Sequence, residues 1–351
     1  MAAGREEIPA ASYNGTMCVK RPHSMEKVRR TRSKGCCGGR RVPQRRGRAL
    51  GDLVAAVAAE VGDVAARTGL TVRQLVAEWV RTADPPVATR RALADYAPDH
   101  RAYVAAQNFM SVLSEQLTGL RAMRPLARVL RAADNRYAPR WWRLNIAITK
   151  SFFTHWAMFD AATHPGGETV GTCVLAMAAA LGLNTRIRDT VTRLQNSYMG
   201  LYELQGRHDD CVRLRNLATG VVVRAFDPVA YGGPPGEIWY ARVLPPPLPG
   251  SERHVVITTP YVLTGVEMAE AERCIARGGE ACASAGEGAQ SRTEAALAFL
   301  KYGPTPTYWL RYVNRAFREA RYNVVLLQGL PLIPQRPSAG LRGPRAHAQA
   351  P

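Results

Sequence analysis

Apolar residues recur at three- and four-residue steps from residue 50 to about 195, and at alternating positions in short runs from 197 to 263. The first spacing is that of one helix face and the second that of a strand, so the chain reads as helices followed by sheet. Leu53, Val54, Val57, Val61 and Val64 predict a first helix, residues 70–82 a second and residues 90–96 a third. Pro85 and Pro86 break this group from the next long helix. Asp99 has the position of an N-cap for that helix, which carries Tyr103, Phe109, Val112, Leu113 and Leu117 and ends near Gly119. Residues 125–133, 140–163 and 169–183 predict three more helices.

Five runs rich in β-branched and aromatic residues come next, at 198–204, 211–217, 221–226, 238–244 and 254–263. Turn chemistry separates them: residues 206–210, the Thr219-Gly220 pair, residues 232–236 and residues 245–250. Consecutive strands with hairpin-like links predict a small five-stranded antiparallel barrel-like module, because closure hides the edges that a flat sheet exposes. Helices are then expected at 266–276 and 292–300. A last helix has Thr305 as its cap, Pro306 in its first turn and Leu310, Val313, Phe317 and Ala320 facing inward. The fold class is α+β: a disordered basic arm (1–48), a helical domain (49–195), the β module (196–264), a C-terminal helical segment (265–330) and a disordered tail (331–351).

The β segment also carries a resemblance. Tyr198-Met199-Gly200-Leu201-Tyr202-Glu203, then Val212-Arg213-Leu214-Arg215-Asn216-Leu217-Ala218-Thr219-Gly220, then Gly236-Glu237 leading to Ala241-Arg242-Val243-Leu244-Pro245, resembles a small β module of bacterial proteins with no assigned activity. Those modules carry Asp where this chain has Asn216 and Glu237. The resemblance covers about a fifth of the chain, rests on strand and turn residues, and implies a fold but no reaction.

Charge changes the picture through its placement. Lys and Arg number 47 against 28 acids, a formal +19, and thirteen of the 47 lie in the first 48 positions. Lys27, Arg29, Arg30, Arg32, Lys34, Arg40, Arg41, Arg45, Arg46 and Arg48 make an arm that lacks the apolar surface to order alone. Only five basic residues are Lys, and Ala, Gly, Pro and Arg are all abundant, as a GC-rich coding sequence would produce without selection for charge.

Arg121, Arg124, Arg128 and Arg131 are spaced by three, four and three, which puts them on one side of a helix while Leu126, Val129, Leu130 and Ala133 take the other. Arg136, Arg140, Arg143 and Lys150 continue the run past Trp141 and Trp142, and residues 121–143 hold seven Arg and one Asp. Such a stripe suits a phosphate backbone, with a Trp to stack on a base. A solvated helix face with Trp in the core is the plainer alternative. Arg311, Arg315 and Arg318 form a second stripe with Tyr308 and Tyr322, suited to nucleic acid or to an acidic protein partner. Residues 61–81 have the outline of a helix-turn-helix, with Ala65 and Gly69 at the corner and Thr71, Arg73, Gln74 and Glu78 as its reading face. Residues 51–100 sum to −2, which favours an ordinary bundle corner.

Catalytic offerings are few. His155, Asp160 and His164 could share a divalent ion, but Pro165, Gly166 and Gly167 break the helix before Glu168. His208, Asp209 and Asp210 read as turn residues. Gly166 to Thr172 has the glycine spacing of a phosphate loop without its Lys. The seven Cys residues form no C-x-x-C pair and are odd in number, which argues for a reducing cytoplasm rather than a disulfide framework. No apolar leader is expected, and the longest apolar run, residues 169–183, is short of the ~20 residues of a membrane span. The sequence therefore predicts a cytoplasmic, non-enzymatic nucleic-acid-binding or regulatory protein without a cofactor. Its contact residues would be Arg121, Arg124, Arg128, Arg131, Arg140, Arg143, Arg311, Arg315 and Arg318. A scaffold that docks an acidic partner is the alternative, and a metal-dependent hydrolase the third reading.

Overall fold

A computed structural model describes residues 51–84, 86–89, 91–141, 146–163, 167–283, 292–321 and 323–333; at 137–141, 146–149 and 283 it describes the backbone alone. The predicted basic arm and C-terminal tail lie outside these residues. The helical part comprises α1 (Asp52–Thr68), α2 (Val72–Arg81), α3 (Pro98–Thr118), α4 (Arg124–Trp141), α5 (Ile146–Phe159), α6 (Val170–Ala176) and α7 (Thr185–Asn196). Gly69, at φ 69°, ends α1 in a conformation that a Cβ disfavours, and Thr71 opens α2 with a reciprocal capping box to Gln74. These two residues make the α1–α2 corner. Thr71 and Gln74 bond each other and Glu78 is paired with Arg81 at 2.5 Å, so three of the four residues of the proposed reading face are occupied locally.

The long central helix α3 buries Tyr103, Met110, Leu113 and Leu117 completely, at the spacing that a single buried stripe requires. Two expectations are corrected around it. Residues 91–95 form turns rather than a helix. Asp99 lies inside the first turn, with Ala97 at the N-cap; its buried carboxylate instead accepts hydrogen bonds from Ser251 Oγ at 3.0 Å and Arg253 Nη2 at 3.4 Å. A long-range partner has displaced the local cap.

Eight strands follow in one sheet: β1 (Met199–His208), β2 (Cys211–Asn216), β3 (Val222–Phe226), β4 (Ile238–Leu244), β5 (His254–Val256), β6 (Tyr261–Thr264), and, near the C-terminal end, β7 (Phe317–Arg321) and β8 (Val324–Gln328). The ring β1-β2-β3-β5-β4 closes through β1–β4 pairing. The predicted barrel is therefore present, but it is not wholly antiparallel: β3 and β5 run parallel. Five is an odd number, so strand directions cannot alternate all the way round a closed ring, and one parallel pair is unavoidable. The fifth predicted run, 254–263, is two strands that pair along successive halves of β4. Pro260, which has no N–H to donate to a ladder, sits at the break.

The C-terminal segment is not all helical as predicted. It comprises α8 (Met268–Ala283), α9 (Arg292–Tyr302), α10 (Tyr308–Ala316) and the β7–β8 hairpin, whose β8 lies parallel to β6. The central barrel strand β4 is buried on both faces, whereas β3 exposes Val222 and Arg224. Tyr202, Leu204, Val212, Leu214, Trp239, Ala241 and Val256 fill the interior. Alternate residues such as Leu201, Tyr240 and Leu244 face the helices, in one continuous cluster of buried side chains that also takes in α3, α5, α7, α9 and α10. The helical part, the barrel and the C-terminal elements thus share a core. No helix among the described residues is long and apolar enough to cross a membrane.

Candidate nucleic-acid interface

Helix α4 is built as its sequence pattern requires. Leu126, Ala127 and Ala133 are buried and Val129 and Leu130 half-buried, while Arg121, just ahead of the helix, and Arg124, Arg128 and Arg131 within it are exposed. Pro125 stands in the first turn, where its fixed φ suits helix entry and its missing N–H leaves no bond unmade. The chain is brought to this point by Glu60 of α1, whose carboxylate accepts the backbone N–H of Arg121 at 2.8 Å and of Ala122 at 2.9 Å. Slight burial works to raise the Glu60 pKa, but those two N–H groups and the charges of Arg121 and Arg124 outweigh it and hold the carboxyl below its ordinary range. The one acid within the run, Asp134, is half-buried; burial raises its pKa against the pull of Lys150.

Among the described residues, none of Arg121, Arg124, Arg128 and Arg131 forms an ion pair; Arg131 Nε donates to Ala127 O, within its own helix. Arg140 falls in the last turn of α4 with its side chain outside the described atoms, and Arg143 lies outside the described residues altogether. The second stripe is not formed as the spacing predicts. Helix α10 begins at Tyr308, not near Thr305, and ends at Ala316. Arg311 and Arg315 are exposed one turn apart upon it, whereas Arg318 belongs to β7, at a register shift between Phe317 and Glu319. Tyr308, expected beside the arginines, is 7% exposed in the core, and Tyr322 is outside the described residues. Val324–Gln328 forms a strand on β6 and takes up Phe317–Arg321 as its antiparallel partner, so the helical period after residue 316 is overridden by sheet pairing.

The interior holds a charged cluster that sequence reasoning missed. Asp160, at the end of α5, binds Arg242 Nη2 through one carboxylate oxygen and Lys301 Nζ at 3.1 Å through the other. Arg242, on the helix-facing side of β4, is wholly buried, and its Nη1 also donates to Ser197 Oγ at 3.1 Å and Leu194 O at 3.4 Å. Lys301, from α9, adds bonds to Gln195 O at 2.5 Å and Ser197 O at 2.7 Å. Two cations share one carboxylate, and four elements meet there: α5, the end of α7, β4 and α9. Burial, and Arg242 beside it, lower the Lys301 pKa, while Asp160 raises it; the net shift is downward. His155 is wholly buried close by. Its Nδ1 sits 2.8 Å from Ser151 O, and burial, then the Arg242 charge, push its pKa down to about 3.

This cluster overturns the reading of Asp160 as a metal ligand, because both of its oxygens are committed to cations. His164 lies outside the described residues, and Glu168 accepts the backbone N–H of Gly51 at 3.0 Å. Among the described residues no three His, Cys, Asp or Glu side chains gather as a metal site. His208, Asp209 and Asp210 stand where expected: Asp209 and Asp210 are the two-residue loop between paired His208 and Cys211. Two signals in the sequence pointed to the cluster. Arg242 interrupts an otherwise apolar strand, and Lys301 is one of only five lysines in an arginine-rich chain.

Three further guanidinium groups are likewise committed. Arg207 is held by Asp227 at 3.0 Å, Arg215 lies between Glu203 at 2.6 Å and Glu272 at 3.0 Å, and Arg253 between Asp210 at 3.1 Å and Asp99 at 3.4 Å. These pairs fasten barrel strands to one another and to the helices. Comparison with protein-family models, with curated proteins and with solved structures finds no match.

Proposed function

We propose that this protein binds nucleic acid through its phosphate backbone, with the exposed α4 face of Arg121, Arg124, Arg128 and Arg131 as the ordered contact surface. One observation carries the reading. Residues 51–333 contain 31 basic and 25 acidic residues; with residues 121–143 set aside, the remainder holds 24 of each. The whole positive excess of this part of the chain is thus gathered in one segment. Compositional bias alone would scatter it. Among the described residues Arg121, Arg124, Arg128 and Arg131 also form no ion pair, whereas Arg207, Arg215, Arg242 and Arg253 are held by carboxylates.

A row of arginines one turn apart exchanges condensed counterions for direct phosphate contacts, so affinity falls steeply with salt. The charge of the basic arm, Arg140 and Arg143 adds to the same attraction. The test is the binding of a fluorescein-labelled single-stranded oligonucleotide as a function of salt. Replacing the four arginines by Ala removes up to four phosphate contacts and flattens the slope of log K against log salt by roughly 3 units, at about 0.7 per contact. An unchanged slope, or a parent chain that fails to bind, ends the proposal.

A further inference from the structure

After β8 the chain runs on as a strap, residues 329–333, between α8 and α10. Tyr312 Oη donates to Gly329 O at 2.8 Å and Tyr308 Oη to Leu332 O at 3.2 Å, which fastens the strap to α10. Two surface hollows adjoin it. One, of about 240 Å³, is bounded by Arg311 and Arg315; the other, of about 570 Å³, by Arg273 and Arg277 of α8, with Glu270 as the one acid in its lining. Each arginine pair is spaced by four residues and so projects from one side of its helix. All four side chains are exposed, and among the described residues none is paired with a carboxylate; Arg311 Nη2 donates to Thr305 Oγ1 at 2.7 Å. On the strap between them Leu332 is 76% exposed, the most exposed large apolar side chain of the described residues.

We propose that these paired hollows dock an acidic segment of a partner protein. Its carboxylates would meet the four guanidinium groups, and an apolar side chain would rest on Leu332. The surface is a mixture of arginine, aromatic edge and apolar contact, which is the composition of a protein interface rather than of a phosphate track. Neither terminal stretch outside the described residues suits this surface. Residues 1–50 carry thirteen basic residues against three acids, and residues 334–351 carry three arginines and no acid, so like charge opposes both. This surface is separate from the α4 face, and each proposal can fail alone.

The experiment measures the fluorescence anisotropy of a labelled peptide of repeated Glu-Glu-Leu triplets on the full chain. Arg273→Glu with Arg277→Glu, or Arg311→Glu with Arg315→Glu, should weaken binding about tenfold, the combined worth of two exposed ion pairs. Leu332→Ser should weaken it as well, and the α4 alanine variant should leave it unchanged. A peptide of repeated Lys-Lys-Leu should in turn bind the charge-reversed chains, a gain that a merely damaged fold cannot produce. Three results overturn the proposal: a parent chain that does not bind the acidic peptide, variants that bind it as the parent does, or variants that lose oligonucleotide binding while keeping the peptide.

Discussion

Asp160→Asn tests the charged interior most directly. The substitution keeps the side-chain shape and removes the one negative charge facing Arg242, which is wholly buried, and Lys301, whose side chain is 11% exposed. Arg242 keeps its bonds to Ser197 Oγ and Leu194 O, and Lys301 keeps those to Gln195 O and Ser197 O, so what is lost is charge compensation more than hydrogen bonding. Removing one partner of a buried pair costs about 3–5 kcal/mol, a large share of the ~5–15 kcal/mol that holds a domain folded. With an m-value near 3 kcal/mol/M the urea midpoint should fall by roughly 1 to 2 M. The deficit should also depend on pH. Lys301 is already pushed below its ordinary pKa, and without Asp160 the charge that opposes that push is gone. Between its folded value and about 10.4 the unfolded chain binds the extra proton, so stability rises with pH, and the variant should recover part of its loss on going from pH 7 to pH 9. Replacing Asp160, Arg242 and Lys301 together by Leu, Met and Met should cost far less than Asp160→Asn alone. A midpoint shift equivalent to less than about 1 kcal/mol for Asp160→Asn would refute the claim that the two cations depend on this carboxylate.

Three further outcomes concern single positions. His155 and His100 are held neutral, with pKa values pushed down to about 3 and about 4 by burial, so below pH 6.5 the unfolded chain binds protons that the folded chain refuses. Each should cost up to about 1.4 kcal/mol per pH unit between 6.5 and 5, and a His155→Gln variant whose urea midpoint falls with acid as steeply as the parent's would contradict this. A Cβ on Gly279 would stand 2.9 Å from Ala296 N, where α8 and α9 meet backbone to backbone, so Gly279→Ala should lower stability by about 1–3 kcal/mol in a thermal melt. Thr71→Ala removes the capping box of α2 and should cost about 1 kcal/mol, read from the same melt; an unshifted transition would mean that this corner contributes nothing.

The arginines divide into two populations, and the division links the fold to the proposed functions. Arg207, Arg215, Arg242 and Arg253 are committed to carboxylates and fasten strand to strand or strand to helix. Arg121, Arg124, Arg128, Arg131, Arg273, Arg277, Arg311 and Arg315 stand exposed without such partners. Neutralising the first group should lower stability and neutralising the second should lower binding.

Local pattern determined much of this protein. The spacing of Arg124, Arg128 and Arg131 and the apolar spacing from Leu126 to Ala133 were enough to place those three arginines on the outer face of α4, because helix geometry converts spacing directly into direction; Arg121, one turn earlier in the spacing, lies just ahead of the helix. Alternation and turn residues located the first four barrel strands for the same reason. Tertiary structure decided the rest. The letters around Asp160 are the same whether it binds a metal or a guanidinium 82 residues away, and only the packing of β4 and α9 on α5 makes that choice. Phe317–Arg321 continues the helical period of α10 yet pairs with β8, because the strand beside it offers a row of hydrogen bonds that no local propensity can express. Asp99 left the cap position for Arg253 and Ser251 on the same grounds: a partner distant in sequence is invisible to any pattern read along the chain.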